Sequence, residues 1–152
     1  MKLTRCAPLL AVLACAGCPS TVPYKPQPGV LQEVQPTEAR SRLRETLGRA
    51  IEPPILWVDV TDDSLRYRYK DVIHGPFGIP SGSVERTQEV FFVNVRRTEL
   101  YDNNWVYLYG VDQRLTTKVC FDNEHDARSF ADLVSSFRER RVYGMRRPAP
   151  AE

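Results

Sequence analysis

Histidine is scarce in this 152-residue sequence, with two residues, His74 and His125. Cysteine is scarce too, at four, and Cys6 and Cys15 both precede residue 18. So little imidazole and thiol leaves scant material for a metal cluster, and none is expected. An excess of one charge is also missing. There are 21 basic and 19 acidic residues, a formal net charge of +2. A nucleic-acid binder usually carries a strong basic surplus, so no nucleic acid is expected as a partner. No apolar run approaches the ~20 residues that a membrane-spanning helix requires. Gly-x-Ser-x-Gly, His-Glu-x-x-His, a pair of Cys-x-x-Cys motifs and a phosphate loop are all absent. No catalytic residue and no cofactor is therefore assigned, and the expectation is a non-enzyme. What is present, 42% hydrophobic, 26% charged and 10% aromatic, has the profile of one ordinary folded domain.

The chain opens MKLTRCAPLLAVLACAGCPS. Lys2 and Arg5 give a positive start. Ala7 to Ala14 form an apolar stretch interrupted by Pro8, and the small residues Ala16 and Gly17 lead to Cys18. This is the layout of a secretory signal. The box Cys15-Ala16-Gly17-Cys18 resembles that of bacterial lipoproteins in its last three residues, with Cys15 where leucine is usual. The resemblance implies that residues 1–17 are a signal peptide that is removed. Cys18 then becomes an N-terminus bearing palmitate-type acyl chains, a multi-chain membrane anchor. Pro19 and Ser20, rather than aspartate, follow the cysteine, which implies the outer membrane, facing the periplasm. Loss of Lys2 and Arg5 leaves 19 basic residues against 19 acidic ones. With Cys18 acylated, Cys120 has no disulfide partner and is expected as a small buried hydrophobe.

Residues 18–36 read as the lipidated cysteine and a proline-rich tether, with prolines at 19, 23, 26, 28 and 36. Such a stretch favours extended chain. Val30, Leu31 and Val34 offer a short docking segment. Residues 37–141 read as a single domain and 142–152 as a disordered tail. A helix is predicted over 37–51, capped by Thr37, with Ala39, Leu43, Leu47 and Ile51 as its apolar stripe and its arginines on a solvated face. A strand at 55–60 and a turn at 61–64 follow. In the strand at 65–70, Leu65, Tyr67 and Tyr69 alternate with a solvent-facing Arg66, Arg68 and Lys70. Residues 71–88, rich in glycine and proline, read as a functional flap or as a loop hiding a short strand near Ser83 to Gln88. Residues 89–95, apolar on both faces, predict a central strand that continues after a bend through 96–100. The strand at 105–111 sets Trp105, Tyr107 and Tyr109 against Val106 and Leu108. A further strand covers 115–121. Asn123 then caps a helix to about Arg140, with Ala127, Phe130, Ala131, Val134 and Phe137 on its inner face. The fold class is α+β. An N-terminal helix precedes a strongly twisted antiparallel sheet, or partly open barrel, of five to seven strands, and a C-terminal amphipathic helix caps it.

Three stretches, VTDDSLRYRY, EVFFVNVRRTELY followed by WVYLYG, and TKVCFDNEHDARSFADLVSSF, resemble the pleckstrin-homology-like superfold, including its bacterial PH and GRAM branches. The likeness covers about residues 55–140, and the helix at 37–51 is additional. It implies a binding or scaffold module. The candidate partner surface is the aromatic set Tyr67, Tyr69, Trp105, Tyr107 and Tyr109, expected on one side of the sheet, with Phe77 from the flap. The expected partners are the membrane, through Cys18, and a protein of the cell envelope. An alternative is a carrier or sensor holding a small molecule or lipid in a sheet cavity of ~300 Å³ or more. An enzyme of unrecognised type would draw first on His74.

Overall fold

The stripe Ala39, Leu43 and Leu47 is fully buried, as its spacing predicts. The helix carrying it, α1, runs Pro36–Gly48. The computed structural model describes residues 20–22, 24 and 34–144, with no side-chain account of 143 and 144. Gln35 rather than Thr37 occupies the N-cap, because Pro36 already fits the first turn, where its missing N–H costs nothing. Ile51 does not complete the stripe. The Arg49 N–H turns back onto the Leu47 and Thr46 carbonyls, and the chain leaves the helix into strand β2, Ala50–Glu52, where Ile51 is 53% exposed. The arginines of α1 face carboxylates. Arg42 lies 2.6 Å from Glu38, and Arg40 lies 2.8 Å from Asp62. Exposed pairs of this kind contribute at most ~1 kcal/mol each.

Among the described residues, eight strands form two antiparallel sheets rather than the single sheet expected. Strand β1 is Thr21–Val22, β3 is Ile55–Val60, β4 is Ser64–His74 and β5 is Pro80–Phe91. Strand β6 is Arg97–Tyr101, β7 is Trp105–Tyr109 and β8 is Leu115–Phe121. One sheet has the order β1-β6-β7-β8-β2, the other β3-β4-β5, and they do not close into a barrel. The break falls inside the segment expected as a central strand. β5 ends at Phe91, and Phe92–Asn94 form a 3-10 turn that hands the chain to the other sheet. Phe92 is buried while Phe91 and Val93 are exposed, so only one side of EVFFVNV meets the core. β5 is an edge strand.

Residues 71–88 are not a flap, and the strand expected near Ser83 to Gln88 is present as part of the longer β5. They form the outer half of a long hairpin, with β4 and β5 paired from Ser64↔Phe91 to His74↔Pro80. The glycines and prolines that suggested a loop are confined to its tip, and the flanking residues pair one to one. At its base Thr61 Oγ1 accepts the N–H groups of Asp63 and Ser64 at 3.2 and 3.0 Å, closing the β3–β4 turn. Arg66 and Arg68 face solvent beside Glu89 and Glu85 on β5.

The last element, α2, is Glu124–Gly144. Its start is braced both ways: Asn123 Oδ1 accepts the Asp126 N–H at 2.9 Å, and Asn123 Nδ2 donates to Asp126 Oδ2 at 3.0 Å. Residues 142–144, read as tail, continue the helix, and 145–152 lie outside the described residues. α2 lies across β6, β7 and β8, while α1 rests on β3 and touches α2. The core fills the space between. Phe130 meets Phe121 at 5.4 Å, and Phe137 stacks on Phe92 at 4.8 Å.

The described part of the proline-rich stretch lies on the domain. Thr21 and Val22 pair with Tyr101 and Leu100. The Tyr24 hydroxyl donates to the Asp132 carboxylate, and Arg140 donates to the Val34 carbonyl at 2.8 Å. These contacts lie along the edge of β6 and on α2, and Tyr24 and Val34 pack against the core. Cys18, Val30 and Leu31 lie outside the described residues.

Candidate functional site

Strand β7 separates its side chains cleanly. Val106 and Leu108 point into the core and are fully buried. Trp105, Tyr107 and Tyr109 point to the opposite face of the five-stranded sheet and stay half-exposed. Tyr101, the last residue of β6, joins them with its ring 4.6 Å from that of Tyr107. Trp105 meets Tyr107 edge-on at 6.1 Å, and Tyr109 lies 6.4 Å from Tyr107. These separations suit favourable ring pairs.

Both ends of the row carry a cation. The Arg97 guanidinium sits 4.3 Å from the Tyr109 ring centre, and the Lys118 ammonium 4.9 Å from that of Trp105. Strand register sets this pattern: Arg97 is the β6 partner of Tyr109, and Lys118 is the β8 partner of Tyr107. The Tyr101 hydroxyl donates to Glu99 at 3.1 Å. Its pKa is raised, first by the Tyr109 hydroxyl, then by burial and the Glu99 carboxylate. The row is thus an aromatic strip with a positive group at each end, on the side of the sheet that α2 does not cover.

The other expected members stand elsewhere. Tyr67 and Tyr69 lie on β4, in the three-stranded sheet. Tyr67 is 2% exposed, and its hydroxyl bonds that of Thr117 on β8, tying the two sheets together. Burial pushes its pKa up to about 12. Tyr69 is half-buried, its ring 5.7 Å from that of Tyr67. Trp105 is the link between the two groups. With Tyr67 and Tyr69 it lines an open cleft of about 370 Å³ between the sheets, edged by Glu52, Asp71 and Lys118. Phe77 is at the hairpin tip. Sequence reasoning missed Tyr101, Arg97 and Lys118. Their only signal is alternation, and they join the row through cross-strand register.

Two further open grooves flank the β7–β8 turn. One of about 500 Å³ lies between Phe91 and Val111, and one of about 480 Å³ lies beside Arg97 and Tyr109. Among the described residues, no group of three or more His, Cys, Asp or Glu side chains is placed to hold a metal ion. His74 lies in the hairpin tip with Nδ1 3.1 Å from the Gly78 carbonyl oxygen, and His125 stands in the first turn of α2. Cys120 is a free, buried thiol, its pKa raised by burial.

Comparison with protein-family models, curated proteins and solved structures found no match for this chain.

Proposed function

We propose that this chain is a membrane-anchored lipoprotein whose pleckstrin-homology-like domain is a non-enzymatic binding or scaffold module at the periplasmic face of the outer membrane. The anchor reading stands on the box ending in Cys18. The order of antiparallel strands followed by a packed C-terminal helix supports the family likeness. The observation that carries the binding role is the strip of Tyr101, Trp105, Tyr107 and Tyr109. A half-exposed aromatic row bounded by cations is a typical centre for a protein interface. Buried Tyr67 has no part in it. A photo-crosslinking residue at Tyr107 should trap one discrete envelope protein in living cells, while the same residue at exposed Phe91 should not. Equal labelling at both positions, or none at Tyr107, would overturn the role. Intact mass should show acyl chains on the wild type and none on Cys18→Ser.

The cleft between the sheets favours a second reading, a carrier or sensor of a small molecule or lipid. Its volume exceeds the ~300 Å³ of a small-ligand site, and it combines aromatic walls with charged edges. Native mass spectrometry of protein from its own host would then show a bound molecule, lost on Tyr69→Ala. A ligand-free mass would end that reading.

A further inference from the structure

Residues 72–84 contain no Asp, Glu, Lys or Arg, in a chain that is 26% charged. The structure gathers this stretch at the end of the β4–β5 hairpin, past Tyr69, the outermost residue of β4 in register with β3. At the apex Phe77 is 99% exposed, and Ile79 and Ile73 beside it are exposed as well. The apex is braced. The Gly75 N–H donates to the Ile79 carbonyl at 2.8 Å, and the His74 ring contacts the Gly78 carbonyl. Phe77 itself holds the left-handed φ of 66°, which a bulky side chain seldom adopts. An aromatic ring held wholly in water by a strained backbone does nothing for the stability of the fold.

The direction of the hairpin follows from its neighbours. Its base, at Phe91, shares a groove with Gly110 and Val111 at the β7–β8 turn. Farther out, Tyr69 and Asp71 share the cleft with Trp105, which begins β7 at the opposite end of that strand. The hairpin therefore runs toward the β6–β7 turn, and Phe77 lies six residues beyond Asp71, up to ~20 Å of strand. Ser20 is fastened to Asp102 in that same turn, through Oγ to Oδ2 at 2.8 Å and the Asp102 N–H to the Ser20 carbonyl at 3.1 Å. Only Pro19 separates Ser20 from Cys18, a span of ~7 Å at full stretch. The uncharged tip and the point where Cys18 joins the fold belong to one end of the molecule.

We propose that the hairpin tip is a second membrane contact, in which Phe77, Ile79 and Ile73 enter the bilayer interface beside the acyl anchor. The proposal rests on the anchor reading given above. A bilayer is the fitting occupant because the tip is a narrow, uncharged wedge. Lipid asks for apolar area and no directional partner, whereas a protein interface usually adds a polar, hydrogen-bonded rim.

The full chain, in vesicles of phosphatidylethanolamine and phosphatidylglycerol containing bromine-labelled acyl chains, provides the test. The Phe77→Trp emission, over the background of Trp57 and Trp105, should lose most of its intensity. Val111→Trp, exposed at the opposite end, should keep it. Phe77→Asp should leave the melting temperature unchanged, since the side chain touches nothing, and should abolish protection of the tip by lipid. No quenching at position 77, or equal quenching at 77 and 111, would overturn the proposal, as would a protein crosslinked to position 77 in place of lipid. The anchor is judged separately, from acyl mass. If the wild type carries no acyl chain, quenching of Phe77→Trp by added vesicles still supports the tip contact, and its absence still refutes it.

Discussion

Replacing Tyr67 by phenylalanine tests whether one buried hydroxyl pair fastens the two sheets. The ring stays and only the oxygen goes. Thr117, itself buried, then keeps a hydroxyl without its partner. A buried polar group left unpaired costs ~1–3 kcal/mol. For a domain of this size each kcal/mol lowers the melting temperature by ~4 °C. Thr117→Val removes the other half of the pair at nearly constant volume and should cost a similar amount. The double variant Tyr67→Phe/Thr117→Val leaves no orphan, so it should be far less destabilised than the sum of the two, a coupling of ~1 kcal/mol or more. Urea unfolding followed by tryptophan fluorescence measures all four proteins. Tyr67 also titrates. Its pKa of about 12 in the fold lies above its ordinary 10.0. Its contribution is therefore whole below pH ~10 and is lost as pH rises toward ~12, amounting to ~2–3 kcal/mol across that window. Tyr67→Phe should lessen this alkaline loss, while the slope due to Tyr24 and Tyr101, whose pKa values are raised further, remains. Strict additivity in the cycle, or an unchanged alkaline slope, would refute the reasoning.

Other expectations follow from the same geometry. Asn123→Ala removes the N-cap of α2 and should destabilise by ~1 kcal/mol in the same unfolding assay. The Asp126 carboxylate is held below its ordinary range by the Asn123 amide and by Arg49 at 3.0 Å. Its stabilisation is present above the ordinary carboxylate value and fades as pH falls through the lowered one, so Asp126→Asn should flatten the acid limb of the stability curve. Cys120 should react slowly with a thiol reagent at pH 8 and rapidly in denaturant. Fast reaction in the folded protein would contradict its buried position.

What the sequence revealed depended on whether a local pattern carried the information. α2 was legible because Ala127, Phe130, Ala131, Val134 and Phe137 repeat at helical spacing, and all are buried. The stripe of α1 was legible up to Leu47, and Ile51 kept the spacing after the helix had ended. The run EVFFVNV misled because an apolar run does not say where a strand stops. Glycine and proline between 75 and 82 concealed the hairpin, since they mark its turn but not the pairing of its flanks. Alternation placed Tyr67 and Trp105 correctly on a side of their strands. It said nothing of which sheet each strand joins, so one entered the core and the other the outer row. Arg97 and Lys118 reached the aromatic strip through cross-strand register, a long-range property that no window of sequence contains.

The contact between α1 and α2 governs when the core can be completed. Leu43 and Leu47 lie in the first third of the domain, and α2, which packs against their helix, comes after every strand in the described chain. Until that final segment is present, the strands have an open apolar side and no lid. Such long-range dependence makes for slow, late folding. A chain of this order closes its core by a contact between its first helix and its last.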